Sequence, residues 1–184
     1  MKTFILTSVL VFTLCFISCS VPENVEVKQP NSVPILEMSW ESIGNWDVTG
    51  EILDFRLYDN GLVEFDILDN NKKDRTKTIY STEELRVRKQ FYISDSEVKR
   101  ILKLLTSNEF ADLKKTYQAK RAGTDIAHNN KILFQDGTRE KTIEILGHIE
   151  DLSKPDPENF PDFPPILSYL YEQTHKIKNQ ASKK

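Results

Sequence analysis

The sequence predicts an α+β fold: an antiparallel sheet of two hairpins plus additional strands, packed on one face by two main helices. Three observations carry this prediction. Alternating runs at Leu53/Phe55/Leu57 and Val63/Phe65/Ile67, and again at Ile132/Phe134 and Ile143/Ile145, flank turns rich in Asp and Gly, as β-hairpins do. Val98, Ile101, Leu102 and Leu105 recur at helical spacing behind Ser94-Asp95-Ser96-Glu97. Pro164-Pro165 opens a further run with Ile166, Leu170 and Ile177 on one side, a helix start. Sequential strands pair as neighbours and the amphipathic helices cover one face, which gives two layers.

Taken in order, Ile35 to Trp40 alternates around Glu37 and Ser39 and reads as a first strand. Residues 42–50 are turn-like, and Trp40 and Trp46 suit core-edge packing better than a ligand platform. In the first hairpin a two-residue turn would put the two apolar rows on opposite faces. A three-residue loop Asp59-Asn60-Gly61 pairs Phe55 with Phe65 and Leu57 with Val63 instead. That register, with Gly61 left-handed, is the expectation, and it sets Arg56 against Glu64 on a solvated face. Asp69 to Arg75 is a polar loop. Its Asp69, Asn71 and Asp74 fail as a calcium loop, because Asp74 stands where Gly is needed and Tyr80 where Glu is needed.

Leu85, Val87, Phe91 and Ile93 define one face of a long strand. Arg86, Arg88 and Gln90 lie on the other face; Arg86 and Arg88, with nearby Lys89, read as a solvated strand face guarding a sheet edge, in preference to an anion patch. Ser94 and Glu97 form a capping box for the first main helix, and Glu109 to Tyr117 makes a second, shorter helical piece. Lys120 to Asp125 is a loop. In the second hairpin Asp136-Gly137 is expected as a two-residue type I′ turn, and Gly147 ends the return strand. Five prolines between Asp151 and Pro165 exclude regular structure there.

The amino terminus is organised differently. Lys2 precedes an apolar run from Phe4 to Ile17, the layout of a secretory signal peptide. The run is shorter than the roughly 20 residues a membrane-spanning helix needs. It closes on Phe16-Ile17-Ser18-Cys19, which resembles the lipobox of bacterial lipoproteins; Cys15 fits less well, since Leu14 before it is too large. The resemblance implies cleavage before Cys19, a diacylglyceryl thioether and a palmitate-type acyl chain on its amine, and so a membrane partner engaged through that lipid. Two or more chains anchor stably where one does not. Ser20 resembles the outer-membrane sorting default of Gram-negative bacteria. The expected organisation is a signal peptide at 1–18, lipidated Cys and flexible tether at 19–32, one globular α+β domain at 33–178, and a polar tail at 179–184. The expected location is the cell envelope.

The formal charge of −3 gives no basic surplus to neutralise phosphates, so nucleic acid is not an expected partner. With Cys15 removed and Cys19 lipidated, no thiol remains for redox chemistry or a Cys-based zinc site. No G-x-S-x-G is present. Asp125 and His148, across the second hairpin, are the one pair to test as an acid–base fragment, although a local structural hydrogen bond explains them more simply. One His and one carboxylate fall short of a metal site, and neither metal nor cofactor is expected. Asp156, Glu158 and Asp162 match no calcium pattern, and the stretch Phe160 to Pro165, with Tyr169 and Tyr171, suits a protein-binding surface slightly better. The expectation is therefore a non-catalytic binding or scaffolding domain, with an envelope protein as possible partner. The alternatives are an envelope hydrolase built near Asp125 and His148, or a small-ligand carrier with a cavity lined from Phe55, Phe65 and Leu102.

Overall fold

The computed structural model describes residues 33–44, 48–74, 76–120, 126–147 and 152–181. Its elements, in chain order, are β1 (Pro34–Gly44), β2 (Val48–Tyr58), β3 (Leu62–Leu68), β4 (Tyr80–Ser81), α1 (Thr82–Leu85), β5 (Arg86–Tyr92), α2 (Asp95–Leu105), α3 (Asn108–Ala111), β6 (Thr116–Gln118), β7 (Ile126–Gln135), β8 (Glu140–Leu146) and α4 (Pro165–Ala181). The strands form one sheet in the order β5-β3-β2-β1-β7-β8-β6, with β4 joined to β2 off that path. Only β4 on β2 and β6 on β8 are parallel. The fold is thus α+β with a mostly antiparallel sheet.

The first hairpin has the register its alternation predicts. Arg56 pairs with Glu64 and Leu57 with Val63, and Gly61 closes the three-residue loop at a φ of 81°. A Cβ at Gly61 would also meet the Ile93 carbonyl oxygen at 2.9 Å, so both backbone and space demand glycine there. The second hairpin is displaced by two residues from expectation. Gln135 faces Glu140 and Ile132 faces Ile143, which centres the turn on Gly137-Thr138 instead of Asp136-Gly137. Only Gly137 has a positive φ there, 84°, as in a type II′ and not a type I′ turn. The Asp136 carboxylate causes the shift: it accepts from the Thr138 N–H, the Thr138 hydroxyl and the Arg139 N–H. The Arg139 guanidinium and these bonds hold the Asp136 carboxyl far below the usual carboxylate range. Because the slip is even, every side chain keeps its face.

Other boundaries differ locally. Leu85 ends the short helix α1 and does not begin the strand. The helical piece after Ser107 stops at Ala111, and Tyr117 lies in β6, paired with Ile145. The closing helix runs on past Lys178 to Ala181.

The core lies between the sheet and helices α2, α3 and α4. Leu36, Met38, Phe55, Leu57, Ile132 and Ile143 come from the strands, and Val98, Ile101, Leu105, Leu167, Leu170 and Ile177 from the helices. Ser94 and Glu97 make the expected capping box on α2, which turns its apolar stripe onto the sheet. A bulge shapes β2: Met38 pairs with Phe55 but Ser39 with Leu53, so Asp54 is the extra residue. Asp54 meets Lys178 of α4 at 2.5 Å, tying bulge to helix.

Tyr171 is fully enclosed nearby. Burial, and then the Asp54 carboxylate, pushes its phenol well above the ordinary value of 10.0. Stability is therefore intact below the unfolded-state tyrosine pKa and is lost as pH rises through the folded one. Urea midpoints measured at stepped alkaline pH should fall above about pH 10. Tyr171→Phe should flatten part of that fall, and an alkaline limb unchanged in the variant would refute this account.

Candidate functional site

The face of the sheet turned away from α2, α3 and α4 carries a dense polar cluster. It exists because β2 and β3 part company. Their pairing is limited to Arg56–Glu64 and Leu57–Val63, and N-terminal to Arg56 the strand β2 swings away. The Leu53 N–H, left without a strand partner on that side, donates to Asp66 Oδ2 at 3.2 Å. A side chain from β3 thus bridges a gap that backbone pairing leaves open.

Around this point charges alternate across four strands. Arg56 meets Glu37 Oε2 at 2.7 Å on β1 and Glu64 Oε2 at 3.3 Å on β3. Glu64 also accepts from the Tyr58 hydroxyl at 3.0 Å and from the Gln90 amide of β5. Arg88 grips Asp66 with two nitrogens, Nε to Oδ1 and Nη2 to Oδ2. Arg86 stands 4.0 Å from the same carboxylate. Burial alone would lower the pKa of the Arg56 guanidinium, but the Glu37 charge and hydrogen bond reverse this and hold it above its ordinary value. Burial, followed by its bond to Glu64, raises the Tyr58 phenol.

The expected wet face at Arg56 and Glu64 is therefore corrected. Glu64 and Asp66 are only 6% and 8% exposed, and the cause is the chain between β3 and β5. It folds back so that β4 pairs beside β2 and α1 closes over the sheet, with Thr82 and Leu85 buried. Ser81 and Glu84 cap α1 with a reciprocal box. Gly50 lets it approach, since a Cβ there would lie 2.7 Å from Thr82 Oγ1. Between α1 and the sheet lies a cleft of about 440 Å³ walled by Glu37, Ser39, Glu51, Arg56, Glu83, Arg86 and Arg88, among others. Its carboxylates and guanidinia are paired largely with one another, which makes a rigid polar surface.

Cys19, Trp46, Asp125 and His148 lie outside the described residues, as does the stretch from signal to tether. Trp40 is half-buried on β1 between Ile52 and Asn130. Asp156 is a turn-former: its Oδ1 accepts from the Glu158 N–H and its carbonyl from Phe160. The proposed aromatic surface is corrected, because Phe160 and Tyr171 are buried and Phe163 packs edge-on against Tyr117 and Phe160. Of its aromatic rings only Tyr169 is exposed, at 43%. Phe55 and Phe65 belong to the packed core with Leu102 against it. Among the described residues no three His, Cys, Asp or Glu side chains gather as for a metal ion.

Two features of this site had signals in the sequence. Ser81-Thr82-Glu83-Glu84 carries the same capping signature as Ser94-Asp95-Ser96-Glu97, and Asp66 and Glu64 face Arg88 and Gln90 once the hairpin register is extended to β5. No protein-family model matches the chain, and no curated protein matches it.

Proposed function

We propose that the protein is a cell-envelope lipoprotein, held to a membrane through acyl chains on Cys19, whose α+β domain binds or scaffolds a partner and performs no reaction. The observation that carries this reading is the lipobox Phe16-Ile17-Ser18-Cys19 at the end of the apolar run. Residues 20–32 then supply a spacer of up to roughly 40 Å between lipid and β1. The charge-paired sheet face supports the binding role, since its ion pairs are directed at holding shape and leave the rim acids Glu51 and Glu83 facing the cleft. In a Gram-negative host Ser20 directs the protein to the outer membrane.

The test is the intact mass of the protein from the membrane fraction, beside a Cys19→Ala variant. The expected wild-type chain begins at Cys19 with acyl mass added, and the variant loses both the acyl mass and the membrane association. A soluble, unacylated wild-type chain would overturn the proposal.

A further inference from the structure

We propose that the outer edge of β5 is a docking site for an extended segment of another envelope protein, alternating acidic and apolar residues, which joins the sheet as an added strand. This names a partner for the binding role above and rests on that reading.

The backbone fixes which groups are offered. The Ile93 N–H donates to the Gly61 carbonyl at 3.0 Å, and the Asp69 N–H to the Leu85 carbonyl at 2.9 Å. Both pairs continue the β3–β5 register, in which Leu62 faces Tyr92 and Leu68 faces Arg86. In an antiparallel ladder hydrogen-bonded pairs alternate, so the odd residues of β5 bond to β3 and the even residues point N–H and C=O outward. Lys72 Nζ, which takes the Arg86 carbonyl at 3.1 Å, agrees with that assignment. From Arg88 to Tyr92 the edge is presented to solvent, and β5 ends the sheet on this side.

Two further features say what fits there. Beside the edge, on the helix side, runs a groove of about 860 Å³ floored by Phe65, Ile67, Phe91 and Ile93 and closed by Gln180 and Ala181 of α4. Ile67 at its lip is 41% exposed. On the other side of the edge stand Arg86 and Arg88, partly exposed and leaning on Asp66 of β3, while Lys89 lines the groove itself; the strand Arg-Val-Arg-Lys-Gln-Phe-Tyr holds three cations and no acid. Successive residues of an added strand alternate between these sides. Apolar residues therefore enter the groove while acidic ones lie over the arginines. Antiparallel self-pairing of two copies centred on Lys89 is disfavoured, because it sets cation against cation.

The test uses full-length protein in detergent and the fluorescence anisotropy of a labelled, capped hexapeptide alternating Glu and Val. Two further peptides carry N-methyl groups on all Glu or on all Val residues. An added strand turns only one of those sets of N–H groups toward β5. One methylated peptide should therefore bind at least about tenfold more weakly, while the other keeps most of its affinity. Loss with methylated Glu indicates antiparallel addition, and loss with methylated Val parallel addition. Ile67→Lys should weaken binding, and Tyr169→Ala, away from the groove, should not. The proposal is overturned if the unmethylated peptide does not bind, or if both methylated peptides bind alike. A dimer that Ile67→Lys converts to monomer also overturns it. None of these results bears on the acyl mass at Cys19, so the lipoprotein reading stands or falls separately.

Discussion

Phe55→Ala is expected to destabilise the fold by about 3–5 kcal/mol, a large part of the roughly 5–15 kcal/mol that holds a typical domain together. The ring is fully buried, stands opposite Met38 across β1 and β2, and follows directly on the bulge residue Asp54. Its loss empties space in the core between the sheet and the helices. Ile67 lies on the same side of the sheet but is 41% exposed, so Ile67→Ala is expected to cost only about 1 kcal/mol. Urea unfolding of the two variants checks the pair. Similar losses at both positions would mean that the hairpin does not direct Phe55 inward as described.

Removing the Asp66 carboxylate is the second large effect. Asp66→Ala leaves the Leu53 N–H buried without an acceptor and deprives Arg88 of its two bonds. Each orphaned buried group costs about 1–3 kcal/mol, and Arg88, partly open to water, recovers some of its share by hydration. The expected loss is about 2–3 kcal/mol. A double-mutant cycle separates the contributions. Asp66→Ala together with Arg88→Ala should cost less than the two single losses added, because the pair is broken only once. Asp66→Asn keeps an oxygen for the Leu53 N–H and should recover part of the loss. If Asp66→Asn and Asp66→Ala are equally unstable, the bridge to Leu53 contributes nothing.

The structure shows why some of this was legible in the chain and some not. The first hairpin could be read to its register because its apolar rows share a face only under an odd loop, and Gly61 sits where the three-residue loop needs a left-handed residue. The second hairpin could be assigned faces but not register, since a shift of two residues leaves every face unchanged and only the Asp136 side chain decides between them. Helix α1 escaped because four residues carry no period, even though its capping box is written as clearly as that of α2. Tyr117 looked helical beside Phe110 and Leu113, but it packs as a strand residue against Ile145. The charged cleft was the least legible feature. Arg56, Glu64 and Asp66 alternate with apolar neighbours as solvent-facing residues do. Only the return of the chain through β4 and α1 over the sheet turns that face into a half-enclosed one.

One consequence follows from where β1 sits. The residues leading from the amino terminus enter the fold at Pro34, and β1 lies inside the sheet, paired along its length with β2 on one side and β7 on the other. A pull along that strand is opposed by both ladders at once, in shear, because their hydrogen bonds run perpendicular to the strand. An edge strand loaded at one end would instead part bond by bond. A load taken up at β5 would cross the sheet through β3 and β2 before reaching β1. A load applied where the chain enters is therefore met first by the two longest ladders of the sheet.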